Sequence, residues 1–227
     1  MNTQLPGAEW TSLYESKPET GQMSNSPSPT ARAEVVNAVK NALATHGYAG
    51  LTTKKVAAES DKSEAFFFYH YDTKDDLVVA FLDWAIERNR DQLSELDDDP
   101  VTRLYDALDF LVGDPRDDVD CGINVAMMEL LSHAPHNERF HERLTAYEQS
   151  VIDLFVDILE EGIAQGQFET VDSHDVASYL LVTANGTAGA AMALGMYDVD
   201  AGVRRELDRY LRTNVLASDV TPPDGIL

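Results

Sequence analysis

Residues 53–74 of this 227-residue chain hold side chains that can recognise a polyanion. Lysines can pair with phosphate groups, while hydroxyl, carboxylate and aromatic side chains can contact base edges. Short helices are expected over residues 53–60 and from a Ser63 cap to about residue 70, with a tight turn between them at Asp61-Lys62. In a helix-turn-helix of this shape, the second helix can enter the major groove of DNA.

An ordinary helical hairpin is the alternative interpretation of the same stretch. It would bury the aromatic run from Phe66 to Tyr71 as core. Six successive residues of one helix cannot all face inward, so some of these rings must be exposed. The exposed rings favour a binding surface over a purely structural hairpin.

The order and register of the residues around this hairpin carry a resemblance to a known family. They are Gly47-Tyr48, Leu51-Thr52-Thr53, Val56-Ala57, Ser63, the run 66–71 and Thr73-Lys74-Asp75-Asp76-Leu77. Over about residues 31–80 this closely resembles the N-terminal domain of the tetracycline-repressor (TetR) family. The resemblance implies a homodimeric transcription factor that a small molecule releases from a palindromic operator on double-stranded DNA.

The same resemblance implies roles for individual residues. Thr53 would cap the second helix and touch phosphate, and Phe67 would take a core position. The other expected DNA contacts are Lys54 and Lys55 near the DNA backbone, Ser63, Glu64 and Phe66 at base edges, and Tyr69, His70 and Lys74 at phosphates.

Three positions depart from the family pattern. Asp61 stands where a turn glycine is common, and Phe68 replaces a tyrosine, which removes a hydroxyl contact to phosphate. Glu64-Ala65 replaces a Lys-Gly pair and turns a negative charge toward DNA. A glutamate can accept a hydrogen bond from cytosine N4, so Glu64 can read a base as well as repel phosphate.

The overall charge opposes DNA binding, because 40 acidic residues face 17 basic ones and the net charge is −23. Residues 30–77, however, carry six basic and seven acidic side chains and are nearly neutral. An acidic surface with few lysines is typical of a protein that works in molar salt, which predicts a salt-in halophile. There counterion release contributes little to binding, so such a protein must rely on base edges, thymine methyls and shape.

Helical periodicity continues to the C-terminus and no alternating strand is found, so we expect an all-α fold. Helices are predicted from Thr30 to a Gly47 cap, from a Thr73–Asp76 capping box, from Asp99-Pro100, and over 124–132, 138–165, 175–194 and 201–216, with a charged loop at 113–122. The expected division is a disordered tail (1–29), a three-helix reading domain (30–77), a regulatory and dimerisation bundle (78–217) and a loose tail (218–227). Translation could also begin at Met23.

Nothing in the sequence assembles a catalytic set, so we expect no enzyme activity, no cofactor and no metal. Glu138 and His141 match the Glu-x-x-His spacing of di-iron bundles, but a second pair is missing, which favours surface or capping roles. A metal- or ligand-binding all-α protein with a purely structural helix-turn-helix remains the rival interpretation. The lone Cys121 excludes an internal disulfide, and a redox role for it stays open.

Residues 176–197 carry no charge, yet their polar side chains and three glycines favour a buried helix over a membrane span. No signal peptide is recognised, so a cytoplasmic protein is expected.

Two further sites are expected in the C-terminal bundle. Large apolar side chains could line an effector pocket, namely Trp84, Met127, Met128, Leu131, Phe140, Tyr147, Phe155 and Tyr179. Small residues recur at helical spacing in one helix and could let two subunits approach closely, namely Gly186, Gly189, Ala190 and Ala193.

Overall fold

The computed structural model describes residues 27–95, 99–114, 116 and 118–223. Its helices are α1 (Pro29–Gly50), α2 (Thr53–Ala58), α3 (Glu64–His70), α4 (Lys74–Glu95), α5 (Pro100–Val112), α6 (Asp118–His133), α7 (Glu138–Ala164), α8 (Ser173–Ala188) and α9 (Tyr197–Asn214). These ranges contain no strand beyond one isolated antiparallel bridge between Phe168 and Leu216. The all-α prediction is confirmed. The expected N-terminal tail and the Met23 start lie outside the described residues, except for residues 27–29.

Helix ends in the N-terminal half follow the local sequence. Gly47 adopts a φ of 63°, which breaks the regular run of α1 near the expected position. The hydroxyl of Ser63 accepts from the N–H of Phe66 and caps α3, as expected. Thr73 and Asp76 exchange hydrogen bonds in the expected capping box at the start of α4.

The cap of α2 was predicted wrongly. Thr52, and not Thr53, has the extended backbone of a cap, and its hydroxyl accepts from the N–H of Lys55. Thr53 is the first residue inside the helix. Either of two adjacent threonines can cap a helix. Which one does so depends on the backbone angles that the preceding turn imposes.

The C-terminal half also differs from its predicted boundaries. The segment 113–122 is not a loop throughout, because α6 already begins at Asp118. The helix α8 continues through a π-helical turn at Gly189–Ala193, and α9 begins four residues before the expected Ala201. The segment after residue 217 is not wholly loose, since Val220 packs against the core.

Two apolar cores lie within the described part of the chain. One joins α1, α2, α3 and α4 to α6 and the start of α7, and it includes Phe67, Leu130 and Phe140. The second lies between α5, α7, α8 and α9 and includes Tyr105, Phe155 and Leu211. The first core therefore continues from the helix-turn-helix into the C-terminal bundle. No helix in the described ranges has the length and apolar run needed to cross a membrane.

Candidate nucleic-acid interface and cavity

The helices α2 and α3 form a short helix-turn-helix held by two buried side chains. Val56 of α2 and Phe67 of α3 are completely buried in the first core. This anchoring leaves Glu64, Ala65, Phe68 and Tyr69 exposed on the outer side of α3. The arrangement matches a recognition helix that is free to enter a groove.

The predicted contact residues divide by exposure. Lys54, Ser63, Glu64 and Tyr69 are exposed, whereas the remaining five are half-buried: Thr53, Lys55, Phe66, His70 and Lys74. Phe66 packs edge-on against Phe67 and at a tilt against His70, with ring centroids 4.5 Å apart, so its ring lies at the margin of the exposed face. The sequence singles out Phe68 only because it lacks the hydroxyl group of the family tyrosine. In the structure its side chain is more exposed than that of Phe66.

Two of the predicted phosphate-binding lysines are held by the protein itself. The Nζ atom of Lys55 donates to the carbonyl of Gly50 at 2.8 Å. The Nζ atom of Lys74 donates to the carbonyl of Tyr48 at 3.1 Å and stands 4.0 Å from the centre of the Tyr48 ring. Both lysines therefore hold the last turn of α1 in this structure.

Tyr48 is the centre of a polar network between α1, α4 and α7. Its hydroxyl donates to Asp75 Oδ1 at 2.8 Å, and Asn137 donates to Asp75 Oδ2 at 3.1 Å. Burial, followed by the hydrogen bond to Asp75, raises the pKa of Tyr48 to about 12. The tyrosine thus remains a neutral donor over the ordinary pH range.

A carboxylate of α6 also binds the last turn of α1. The Oε2 atom of Glu129 accepts from the N–H of Tyr48 at 2.6 Å, and its Oε1 atom accepts from the N–H of Ala49 at 2.8 Å. These are charge-assisted bonds to main-chain donors that directly follow the break in α1 at Gly47. They join the end of α1 directly to α6.

A cavity of about 1160 Å³ lies beside α6. Its lining includes five residues expected for the pocket, namely Trp84, Met127, Met128, Leu131 and Tyr147. The other candidates do not line it. Phe140 and Phe155 are completely buried in the cores, and Tyr179 lies at the surface, where its ring packs against Tyr210. Helical periodicity alone could not distinguish residues of the cavity wall from residues of the core, because both are large apolar side chains.

The charged groups of the cavity differ in how well they are paired. Arg204 is paired with Asp200 and Asp109 and also donates to the carbonyl of Gly113. Glu148 accepts from Asn185 at 3.1 and 3.3 Å, and no basic side chain of the described residues pairs with it. Burial raises the pKa of Glu148, and the Asn185 hydrogen bond opposes that rise only in part.

The four small residues expected at a subunit interface do not share one environment. Gly186 and Ala193 are exposed, and Ala190 is half-buried. Gly189 faces inward, because a Cβ atom there would lie 2.0 Å from Met128 Cε. Gly189 therefore makes room for a cavity-lining methionine within the same chain, and its buried position gives no support to its expected place at the interface. Large apolar side chains are exposed nearby, namely Tyr179, Val182, Leu194, Met196 and Tyr197.

Glu138 and His141 are both exposed at the start of α7. Within the ranges that the structure describes, no group of three or more His, Cys, Asp or Glu side chains could hold a metal ion. Cys121 is half-buried on α6, beside a small groove against α1.

Comparison with family models and solved structures agrees with this architecture. Residues 36–81 match the model of the bacterial regulatory proteins of the tetR family, and residues 100–216 match the model of the C-terminal domain of BetI-type transcriptional repressors. A comparison with curated proteins found no match.

Solved structures with the same fold are numerous. A TetR transcription regulator from Haloarcula marismortui is 33% identical, covers 82% of this chain and 98% of its own, and has a TM-score of 0.70. A putative transcriptional regulator from Saccharomonospora viridis, in complex with choline, is 18% identical over 84% of this chain and all of its own, with a TM-score of 0.66. A putative TetR-family regulator from Rhodococcus is 22% identical over 78% and 96%, with a TM-score of 0.64.

The fold and the exposed recognition helix define a DNA-binding transcriptional regulator. The chain belongs to the TetR family, with a BetI-type C-terminal domain.

Sequence reasoning assigned no contact role to three residues that the structure brings forward, namely Phe68, Glu129 and Glu148. The exposure of Phe68 could have been found from helical phase, since it lies four residues after Glu64. Glu129 and Glu148 gave no signal, because their partners Tyr48 and Asn185 lie far away in sequence.

Proposed function

We propose that this chain acts as a homodimeric repressor that a small organic effector releases from a palindromic operator. The observation that carries the proposal is the position of α6, which holds the end of α1 through Glu129 and lines the cavity through its neighbours Met127 and Met128. In this proposal residues 30–77 read DNA, residues 78–217 bind effector and partner subunit, and no reaction is catalysed. A DNA-binding regulator acts where the genome lies, so we place it in the cytoplasm.

The proposed DNA contacts are Thr53, Lys54, Lys55, Ser63, Glu64, Phe66, Tyr69, His70 and Lys74. Exposure supports direct contact most strongly for Lys54, Ser63, Glu64 and Tyr69. The two recognition helices of a dimer would read half-sites about 34–36 Å apart, or a multiple of that distance. For Lys55 and Lys74 the internal bonds support an indirect role, in which each lysine orders the backbone that meets the DNA.

The proposed dimer interface is the outer side of α8 and the start of α9. Val182 is 70% exposed and Leu194 is 73% exposed, and Tyr179 lies one turn before Val182. Adjacent exposed apolar side chains favour burial against another protein surface. Gly186 and Ala193 lie along the same stretch and would let two α8 helices approach closely.

The dimer proposal is tested by Val182→Arg, with Val125→Arg as the matched control. Val125 is also an exposed valine within a helix, but it lies on α6. Sedimentation should find dimers for the wild type and for Val125→Arg, and monomers for Val182→Arg. A Val182→Arg protein that stays dimeric at micromolar concentration contradicts the proposed interface.

The proposed effector is a small organic cation that carries apolar groups. Glu148 supplies a carboxylate that has no basic partner among the described residues, while Trp84, Tyr147 and the two methionines of α6 supply polarisable apolar surface. The similar regulator from Saccharomonospora viridis was solved in complex with choline, which supports the same class of ligand in this chain.

A panel of quaternary ammonium compounds tests the effector proposal against uncharged isosteres, for example choline against 3,3-dimethylbutan-1-ol. The cation should raise the thermal midpoint and weaken operator binding, and the uncharged isostere should do neither. Glu148→Gln should lose the response and keep operator binding. Equal responses to a cation and its isostere contradict the role of Glu148.

We also propose that the protein is adapted to molar salt. Its net charge of −23 and its low lysine content support the proposal, and so does the similarity to a Haloarcula protein. Carboxylate-rich surfaces keep a protein hydrated and soluble at high ionic strength.

The decisive test of the regulatory proposal is selection of bound duplexes from a randomised DNA pool in molar KCl. A two-fold symmetric site should be enriched. Failure to enrich any site with folded, dimeric protein contradicts the proposal.

A further inference from the structure

The exposed side of the recognition helix α3 carries no positive charge. Its exposed residues are Glu64, Ala65, Phe68 and Tyr69, and the two aromatic side chains are 57% and 66% exposed. Holding a large aromatic ring in water forgoes about 2 kcal/mol of burial free energy. A groove that covers the ring recovers this free energy on binding.

The lysines around α3 are mostly engaged within the protein. Lys55 and Lys74 donate to main-chain carbonyls at the end of α1, and Lys62 pairs with Glu34 at 2.8 Å. Among the lysines of residues 30–77, only Lys54 is exposed. Arg32 pairs with Glu87 of α4 at 3.1 Å. Few cations are thus left to neutralise phosphates.

We propose that Phe68, beside Tyr69, is a specificity-determining residue that contacts thymine methyl groups in the major groove. The proposal rests on the proposed DNA-binding function. Thymine is the only base that presents a methyl group there, and apolar side chains discriminate it by direct contact. Glu64 strengthens the preference for apolar contact, because its carboxylate disfavours close approach of phosphates.

A second consequence concerns salt. The logarithm of the binding constant falls with the logarithm of salt concentration by about 0.9 for each phosphate that the protein neutralises. One exposed lysine in residues 30–77 of each subunit predicts a slope of about −2 for the dimer. Affinity should therefore persist at salt concentrations that release most DNA-binding proteins.

The experiment uses the full-length dimer and the operator obtained by selection. Each thymine of a half-site is replaced in turn by deoxyuridine, which lacks only the 5-methyl group. At one or two positions per half-site, this replacement should weaken binding of the wild-type protein about 3- to 10-fold relative to the parent operator. The same replacement should have no effect on Phe68→Ala, while Phe68→Tyr, which keeps the ring, should still sense the methyl group.

Each outcome has a distinct meaning. Unchanged affinity at every deoxyuridine position, with tight binding of the parent operator, overturns the role of Phe68 and leaves the repressor proposal standing. A methyl effect that persists in Phe68→Ala also overturns it. If Phe68→Ala does not bind the operator at all, the deoxyuridine series measured with the wild-type protein tests the proposal. A salt slope steeper than −6 contradicts the charge argument, and absence of any selected operator overturns both proposals.

Discussion

Glu129 of α6 accepts hydrogen bonds from the N–H of Tyr48 at 2.6 Å and from the N–H of the following residue. Its sequence neighbours Met127 and Met128 line the cavity, so one helix touches both the cavity and the end of α1. Tyr48 in turn bonds to Asp75 near the start of α4. These contacts link the cavity wall on α6 to the segment that leads into the helix-turn-helix.

Replacing Glu129 should weaken the attachment of α1 to α6. We expect Glu129→Ala to lower the free energy of unfolding by about 2 kcal/mol, because two main-chain N–H groups lose a charged acceptor. Urea unfolding at a fixed protein concentration measures the loss. Glu160→Ala, at an exposed position of α7, is the control and should change stability little. Equal stability of the two variants would show that water replaces the carboxylate without cost.

Gly122 should tolerate no side chain. A Cβ atom there would lie 2.3 Å from the carbonyl oxygen of Ala44, so α1 and α6 would have to separate. We expect Gly122→Ala to destabilise the protein by about 1–3 kcal/mol through overpacking.

The matched control is Gly202→Ala in α9, where a Cβ atom meets only the end of a flexible arginine at 3.9 Å. Alanine is the better helix former by about 1 kcal/mol, so this variant should be more stable than the wild type. Opposite shifts in the thermal midpoint are expected for the two variants, and a stabilised Gly122→Ala protein would refute the close packing of α1 on α6.

Glu148 should give a pH-dependent stability. Burial raises its folded-state pKa, so the charged form opposes folding, and the penalty appears as pH rises through that pKa. We expect Glu148→Gln to be more stable than the wild type at pH 8, with the difference narrowing toward pH 5. Paired urea titrations across this range measure it. A difference that does not vary with pH would mean that the carboxylate is well solvated.

Asp99 should give stability a pH dependence of opposite sign to that of Glu148. Burial alone would raise its pKa, but hydrogen bonds from the N–H and hydroxyl of Thr102 and from Gln167 lower it. A lowered folded-state pKa stabilises the protein above the ordinary pKa of aspartate, and the contribution is lost as pH falls through the folded value.

We expect Asp99→Ala to cost about 1 kcal/mol at pH 7, as for other lost helix caps. Thermal unfolding measures this cost, and Asp157→Ala, at an exposed position on α7, is the control variant. Equal midpoints for the two variants would show that the cap of α5 is dispensable.

Local signals accounted for much of the reading domain. Ser63, Thr73 and Asp76 cap their helices as the sequence indicated, because a cap depends on residues within one turn. The same local rule failed between Thr52 and Thr53, where two neighbours have equal chemistry. The cavity walls at Trp84 and Met127 were anticipated, whereas Phe155 was misplaced because core and cavity residues have the same apolar pattern.

The sequence by itself determined the all-α fold, the family resemblance and the near-neutral reading domain on an acidic body, since composition and helical period are local properties. Tertiary structure alone decided which side chains face each other across the chain. It placed Glu129 on Tyr48, turned Gly189 toward Met128 and left Phe68 in solvent. The physical reason is that packing brings together residues from distant helices, and their pairing depends on crossing geometry that no single segment encodes.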